Sequence, residues 1–272
     1  MPEPALKDCE KAAELGMNNP ELLNSQMLAC IELQKYDSAL DICNQLLKLD
    51  PGRELQYLLN RATIYRKMNN YSEALLDLDS ILESDSNDIR SLIGRAYIYF
   101  IQGRVKEAQQ EIRKAEAVTK VKDEYGYLSR AYAALAFDRF DQAVSDSNIY
   151  LEKFKHKQDN LIYSALVGRQ AAQFKNDQKE IEKIDQETAD FMPKSRWPYP
   201  ILEYCQGKIS EEKLLEIAGK NSNKLTECKT FIGIDYEIKD NFEAASKNYS
   251  WVVDKGNPFY LEFDIAQIRL LR

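Results

Sequence analysis

Glycine and proline are scarce: the chain has ten and eight of them in 272 residues. Long helices are therefore barely interrupted, which excludes a chain broken into many short, loop-joined elements. Histidine occurs once, as His156 in the hydrophilic run KFKHKQDN. One histidine cannot build a histidine-based metal site, and it has no visible nucleophile partner, so it reads as a solvated surface side chain. The five cysteines, Cys9, Cys30, Cys43, Cys205 and Cys228, are odd in number and contain no C-x-x-C pair. They read as buried thiols in a reducing compartment. Cys30 and Cys43 fall on facing helices of one hairpin, where a bridge is open to them but not required. No stretch approaches the ~20 apolar residues of a membrane span, so direct membrane insertion is not expected. MPEPALKDCEK at the N-terminus lacks the basic start and apolar core of a signal peptide. An excess of basic charge is also missing: the net charge is −7, against nucleic-acid binding and docking on anionic membranes.

What is present is a period. Ala39, Ala74, Ala108 and Ala143 lie 35, 34 and 35 residues apart, in the contexts KYDSAL, NYSEAL, RVKEAQ and RFDQAV. A period of about 34 residues marks a stacked array of helical hairpins. Such a solenoid is suited to holding other chains rather than to chemistry. In one unit Leu58, Ala62 and Tyr65 form a stripe, Asn69-Asn70 a turn, and Ala74, Leu78 and Ile81 the facing stripe. The next uses Leu92, Ala96 and Tyr99, then Gly103, then Ala108, Ile112 and Ala115. The one after uses Tyr127, Ala131 and Ala134, then Ala143 and Tyr150. Asp50-Pro51 breaks the chain between units. The expected fold is all-α, with about 16 helices. The pattern weakens at 159–191, where Glu182 takes the signature alanine slot, and breaks at MPKSRWPYP, residues 192–200. A short hairpin around Gly207-Lys208, a well-formed unit at 224–255 and a closing helix at 258–272 follow. Residues 3–16 read as half a hairpin. The expected division is a regular array at 1–191 and a distinct C-terminal part at 192–272.

The pattern of small residue and Tyr, turn, Tyr-x-x-Ala and Asp-Pro resembles the tetratricopeptide repeat. The likeness is strongest at 20–152 and 226–255, although the usual early Trp is missing throughout. It implies a right-handed superhelix whose groove, lined by the first helix of each pair, binds extended peptides or helices. The stripe opposite the packing face carries Asn60, Thr63 and Lys67, then Arg90, Ile93, Tyr97 and Phe100. Further on it carries Tyr125, Leu128, Tyr132 and Leu135, and finally Val167, Ala171 and Phe174. Polar and basic at first and then aromatic, it is the candidate surface for a protein or peptide partner. The competing reading is that these aromatics pack on the next helix or beneath the chain's own C-terminal part. Some members of the family grip a C-terminal carboxylate with a Lys/Asn clamp. Asn60 and Arg90 match two clamp positions, but Asn24 and Leu28 stand where Lys and Asn are needed, so the clamp is incomplete.

Four basic–acidic pairs recur at a sixteen-residue offset: Arg61 with Asp77, Arg95 with Glu111, Arg130 with Asp146, and Arg169 with Asp185. Both members flank the helix–helix interface, so bidentate ion pairs stapling each repeat are expected. Gly207-Lys208-Ile209-Ser210 lacks the leading glycine and strand of a phosphate loop and reads as a turn. Glu211-Glu212 suits a helix start. No catalytic constellation, metal site or cofactor site is visible. The sequence expectation is a non-catalytic scaffold, with self-association through the N-terminal edge or the groove, as in a homodimer, as the alternative.

From Trp197-Pro198 onward, the Gly-x-Ile-Ser hairpin, the Gly233-x-x-Tyr236 helix and the aromatic-rich end resemble the C-terminal part of bacterial NlpI-type lipoproteins. That resemblance implies a dimeric envelope adaptor, although no lipobox cysteine stands near Met1. The expected location is cytoplasmic for a complete chain, and the bacterial periplasm or envelope if a leader has been removed. Trp197, Tyr199, Tyr204, Tyr249, Trp251 and Phe263 are the expected capping core.

Overall fold

The computed structural model describes Lys11 and residues 19–155, 158–189 and 197–272. The expected half hairpin at 3–16, His156 and most of the proline-rich joint lie outside these residues. Among the described residues there are fifteen α-helices and no strand. They form two compact units, residues 1–98 and 99–272. The boundary drawn from sequence at 191/192 falls inside the second unit.

The first unit holds α1 (Pro20–Glu32), α2 (Tyr36–Leu49), α3 (Glu54–Lys67), α4 (Tyr71–Ser84) and most of α5 (Ile89–Ile101). Helices α1 and α2 pair as a hairpin, as do α3 and α4. Asn19 caps α1 by accepting from the Leu22 N–H at 2.8 Å, and Asp88 accepts from the Ser91 N–H ahead of α5 at 2.8 Å. Ala62, Ala74, Leu78 and Ile98 form a buried cluster on which Leu59, Tyr65, Tyr71 and Leu75 pack.

The second unit begins with α6 (Val105–Ala117), α7 (Glu124–Ala136), α8 (Phe140–Lys153), α9 (Gln158–Phe174) and α10 (Gln178–Ala189). It continues with α11 (Tyr199–Cys205), α12 (Glu211–Ala218), α13 (Ser222–Ile238), α14 (Phe242–Lys255) and α15 (Leu261–Leu270). The fold is thus an all-α array of helical hairpins.

Two local features explain the period. The signature alanines Ala39, Ala74, Ala108 and Ala143 are all fully buried; a methyl group is what the packed helices leave room for. Gln34, Asn69, Gly103, Asp138, Asn176 and Asp240 each hold a positive φ, between 54° and 74°, at the turn within a hairpin. This left-handed residue ends the first helix and sends the chain back. Gly, Asn and Asp adopt it most readily, which accounts for five of the six. In α10, Ile181 is buried and Glu182 exposed, so the weakened unit fills the alanine slot from a neighbouring position.

Glycine matters most where helices approach closely. A Cβ on Gly168 would meet the Ser147 Cβ at 2.6 Å, and one on Gly233 would meet the Tyr249 ring at 2.5 Å. The second contact lets α13 and α14 close on a buried aromatic. Helix α15 then turns back across α14 and α13 to reach α7.

Candidate protein-binding surface

Three of the four sixteen-residue pairs each have both members in the same unit, Arg61–Asp77 in the first and Arg130–Asp146 and Arg169–Asp185 in the second. Arg61 places Nε and Nη2 at 2.9 and 2.6 Å from the two Asp77 oxygens, and its Nη1 donates to Asn44 at 2.8 Å. Arg130 forks onto Asp146 at 2.8 and 2.7 Å, and its Nη1 donates to the Ala115 and Val118 carbonyls at the end of α6. The Arg169 Nε donates to Asp185 at 2.9 Å, and Gln206 donates to the same oxygen at 2.8 Å. The guanidinium therefore joins its own hairpin and, for Arg61 and Arg130, the helix before it. That third link was not legible in the sequence. Arg95 donates to Asp79 at 2.8 Å, and Glu111 accepts from Lys114 at 2.7 Å; these two belong to different units.

The residues of the expected groove differ in burial. In the second unit Leu128, Leu135, Val167 and Ala171 are buried, and Tyr132 is only 1% exposed. The Tyr132 hydroxyl donates to Glu262 on α15 at 2.5 Å. The Arg269 guanidinium donates to Glu237, to the Leu135 carbonyl at 2.7 Å and to Asp138 at 3.3 Å, and lies 4.8 Å from the centre of the Phe174 ring. Phe174 also stacks on Phe140, with ring centres 4.6 Å apart. Arg272 donates to Asp138 and the Ala136 carbonyl. Helix α15 thus lies along α7, while α11 and α13 pack on α9. Tyr132 and Phe174, expected to meet a partner, thus contact Glu262 and Arg269 of the chain's own final helix, and Leu128 is buried. Spacing shows an unfilled apolar stripe but not which later helix fills it. Tyr125, 52% exposed, is the one aromatic of this stretch left at the surface. Phe100 meets Phe137 edge to face at 5.4 Å and lines a cavity of about 260 Å³ with Val105, Ile112 and Arg113.

The first unit differs. Asn60, Thr63 and Lys67 on α3 and Arg90 on α5 are all part-exposed. The Thr63 hydroxyl donates to the Leu59 carbonyl at 2.9 Å, and the Arg90 side chain keeps 40% exposure. On α1, Leu28 is exposed, and the buried Oδ1 of Asn24 has no hydrogen-bond partner among the described residues. Ile93 and Tyr97 are buried, with the Arg66 guanidinium 5.6 Å from the Tyr97 ring centre. Both were expected at the contact surface, and both are inside the packed helices.

The thiols are placed for packing. Cys30, Cys43, Cys205 and Cys228 are buried and unbridged. Burial pushes the Cys43 thiol up to about 11 and Cys205 to about 12, leaving both protonated and unreactive at neutral pH. Among the described residues no cluster of three metal-ligating side chains forms, and no helix is long and apolar enough to cross a membrane.

A family model described as "Tetratricopeptide repeat" matches residues 55–88, which span α3 and α4. Residues 55–88 thus resemble a tetratricopeptide repeat. Repeats of this kind mediate contacts between proteins. Sperm-associated antigen 1 of Rattus norvegicus is 30% identical over 99 residues, 36% of this chain and 10% of that protein. Protein unc-45 homolog B of Xenopus tropicalis is 25% identical over 100 residues, 36% of this chain and 11% of that protein. The DnaJ protein P58IPK homolog B of Oryza sativa is 26% identical over 164 residues, 56% of this chain and 34% of that protein. The chain thus spans between about a tenth and a third of these curated relatives. A solved tetratricopeptide repeat protein from Parabacteroides merdae is 16% identical, covers 92% of this chain and 98% of its own, and has a TM-score of 0.46. These curated relatives are eukaryotic, and none of these matches supports the expected bacterial NlpI-type origin.

Proposed function

We propose that this repeat chain is a non-catalytic adaptor holding a segment of another protein on the inner helix face of its N-terminal unit. Asn60, Thr63 and Lys67 on α3 and Arg90 on α5 are the contact residues. The observation that carries this reading is the contrast in exposure. Thr63, two residues after Arg61, is part-exposed, whereas Tyr132 and Ala171, two residues after Arg130 and Arg169, are buried. An amide, a hydroxyl and two cationic side chains suit an extended segment carrying carboxylate side chains.

Peptides selected by display against the full chain provide the test. Lys67→Ala combined with Arg90→Ala is expected to weaken their binding by about tenfold or more, the loss of roughly 1.4 kcal/mol. Tyr125→Ala is expected to leave it unchanged. Peptides indifferent to the first variant and sensitive to the second would move the site to the C-terminal unit.

A further inference from the structure

The C-terminal unit buries two carboxylates, each bonded to side chains of other helices or of the segment before α11. Glu227 on α13 and Glu262 on α15 are both nearly inaccessible. Glu227 accepts from the Trp197 Nε1 at 2.7 Å and from the Tyr163 hydroxyl at 3.2 Å. Glu262 accepts from the Tyr132 hydroxyl at 2.5 Å, and its own carbonyl accepts from the Thr230 hydroxyl at 3.2 Å. Among the described residues neither carboxylate has a Lys or Arg in an ion pair. This contrasts with Asp146, which is equally buried but forked by Arg130. The groups facing the pair are Tyr132 from α7, Tyr163 from α9, Trp197 ahead of α11, Lys224 and Cys228 from α13, and Tyr260 and Asp264 beside Glu262. Lys224, the one cation of this set, has its ammonium 4.7 Å from the Trp197 ring centre.

We propose that Glu227 and Glu262 form a proton-held latch that fastens the closing helix α15 onto α7 and α13. The chemistry follows from the donors. Two tyrosines and a tryptophan donate to the carboxylates as neutral dipoles, and Lys224, the one cation facing them, lies over the Trp197 ring rather than in an ion pair, so two ionised carboxylates in this space would repel with little compensation. A retained proton removes that repulsion. Burial first, and then the charge of Glu262, raises the Glu227 carboxyl well above the ordinary carboxylate value; burial likewise raises Glu262. The folded state therefore holds protons that the open state releases. Closure is strongest at low pH and weakens as pH rises through the pair's ionisation, over roughly pH 5 to 9. Opening would uncover the stripe of Leu128 and Tyr132, giving the array a second face that is hidden at low pH.

Native-state hydrogen exchange of the α15 amides in the full chain, corrected for intrinsic exchange at each pH, reads the latch. The opening constant is expected to rise with pH, by up to about tenfold per unit for each proton released. The α3 amides serve as the reference. In the double variant Glu227→Gln, Glu262→Gln, the amides cannot ionise and the rise should vanish. A wild-type profile parallel to that of α3, or a rise that persists in the double variant, overturns the latch. Should that variant fail to fold, Tyr132→Phe provides a second reading. It removes the hydrogen bond that lowers the Glu262 pKa, so the profile should move to higher pH; an unshifted profile counts against the pair.

Discussion

Replacing Arg130 with alanine is expected to destabilise the C-terminal unit by about 3–5 kcal/mol, the cost of stranding a buried charge. The Asp146 side chain has no exposure and that of Arg130 only 6%. Removing the guanidinium leaves the Asp146 carboxylate, and the Ala115 and Val118 carbonyls that close α6, without these donors. The effect should exceed that of Arg61→Ala, because the Arg61 side chain keeps 23% exposure and water can approach Asp77 once it is gone. Denaturant unfolding, followed on the C-terminal unit for Arg130→Ala and on the N-terminal unit for Arg61→Ala, measures the two losses. Adding Asp146→Leu to Arg130→Ala should restore part of the loss, since no charge is then stranded. Equal losses for Arg61→Ala and Arg130→Ala would mean that burial does not set the strength of these staples.

Arg269→Ala is expected to cost a similar ~3–5 kcal/mol, for a different reason. Its side chain is 1% exposed and joins three elements: Glu237 on α13, the Leu135 carbonyl and Asp138 at the end of α7, and the Phe174 ring on α9. Without it α15 loses its central anchor. Unfolding should start at lower denaturant, and proteases should cut first in the 256–260 connection. Arg272→Ala is the milder control, because its side chain keeps 28% exposure. A variant that melts and resists proteolysis as the parent does would show that α15 is held by its apolar face alone.

The fold was legible because its cause is periodic. The four signature alanines sit where two helices touch, and the turn residues Asn69, Gly103 and Asp138 sit where the backbone needs φ > 0. Both constraints act within a few residues. The site was less legible because its determinants are far apart in sequence. Tyr132 and Glu262 are separated by 130 residues, and Arg269 and Leu135 by 134. No local spacing reports such a contact. One signal was available: Glu262, Asp264 and Arg269 interrupt an otherwise apolar final helix, and charges there need partners. Likewise Glu227 stands among Cys228, Thr230 and Phe231 on a buried helix. Charges placed inside apolar helices were the sequence's pointer to closure, while the aromatic stripe of α7, read alone, pointed to a partner.

The most direct measurement is hydrogen exchange of the full chain with and without a display-selected peptide at saturation, read helix by helix. Binding on the inner face of the N-terminal unit should slow exchange in α3 and α5 and leave α7 and α9 as they were, with α15 protected in both states. Slowed exchange in α7 and α9, with α15 released by the peptide, would instead place the partner in the C-terminal unit and contradict the assignment of the open face.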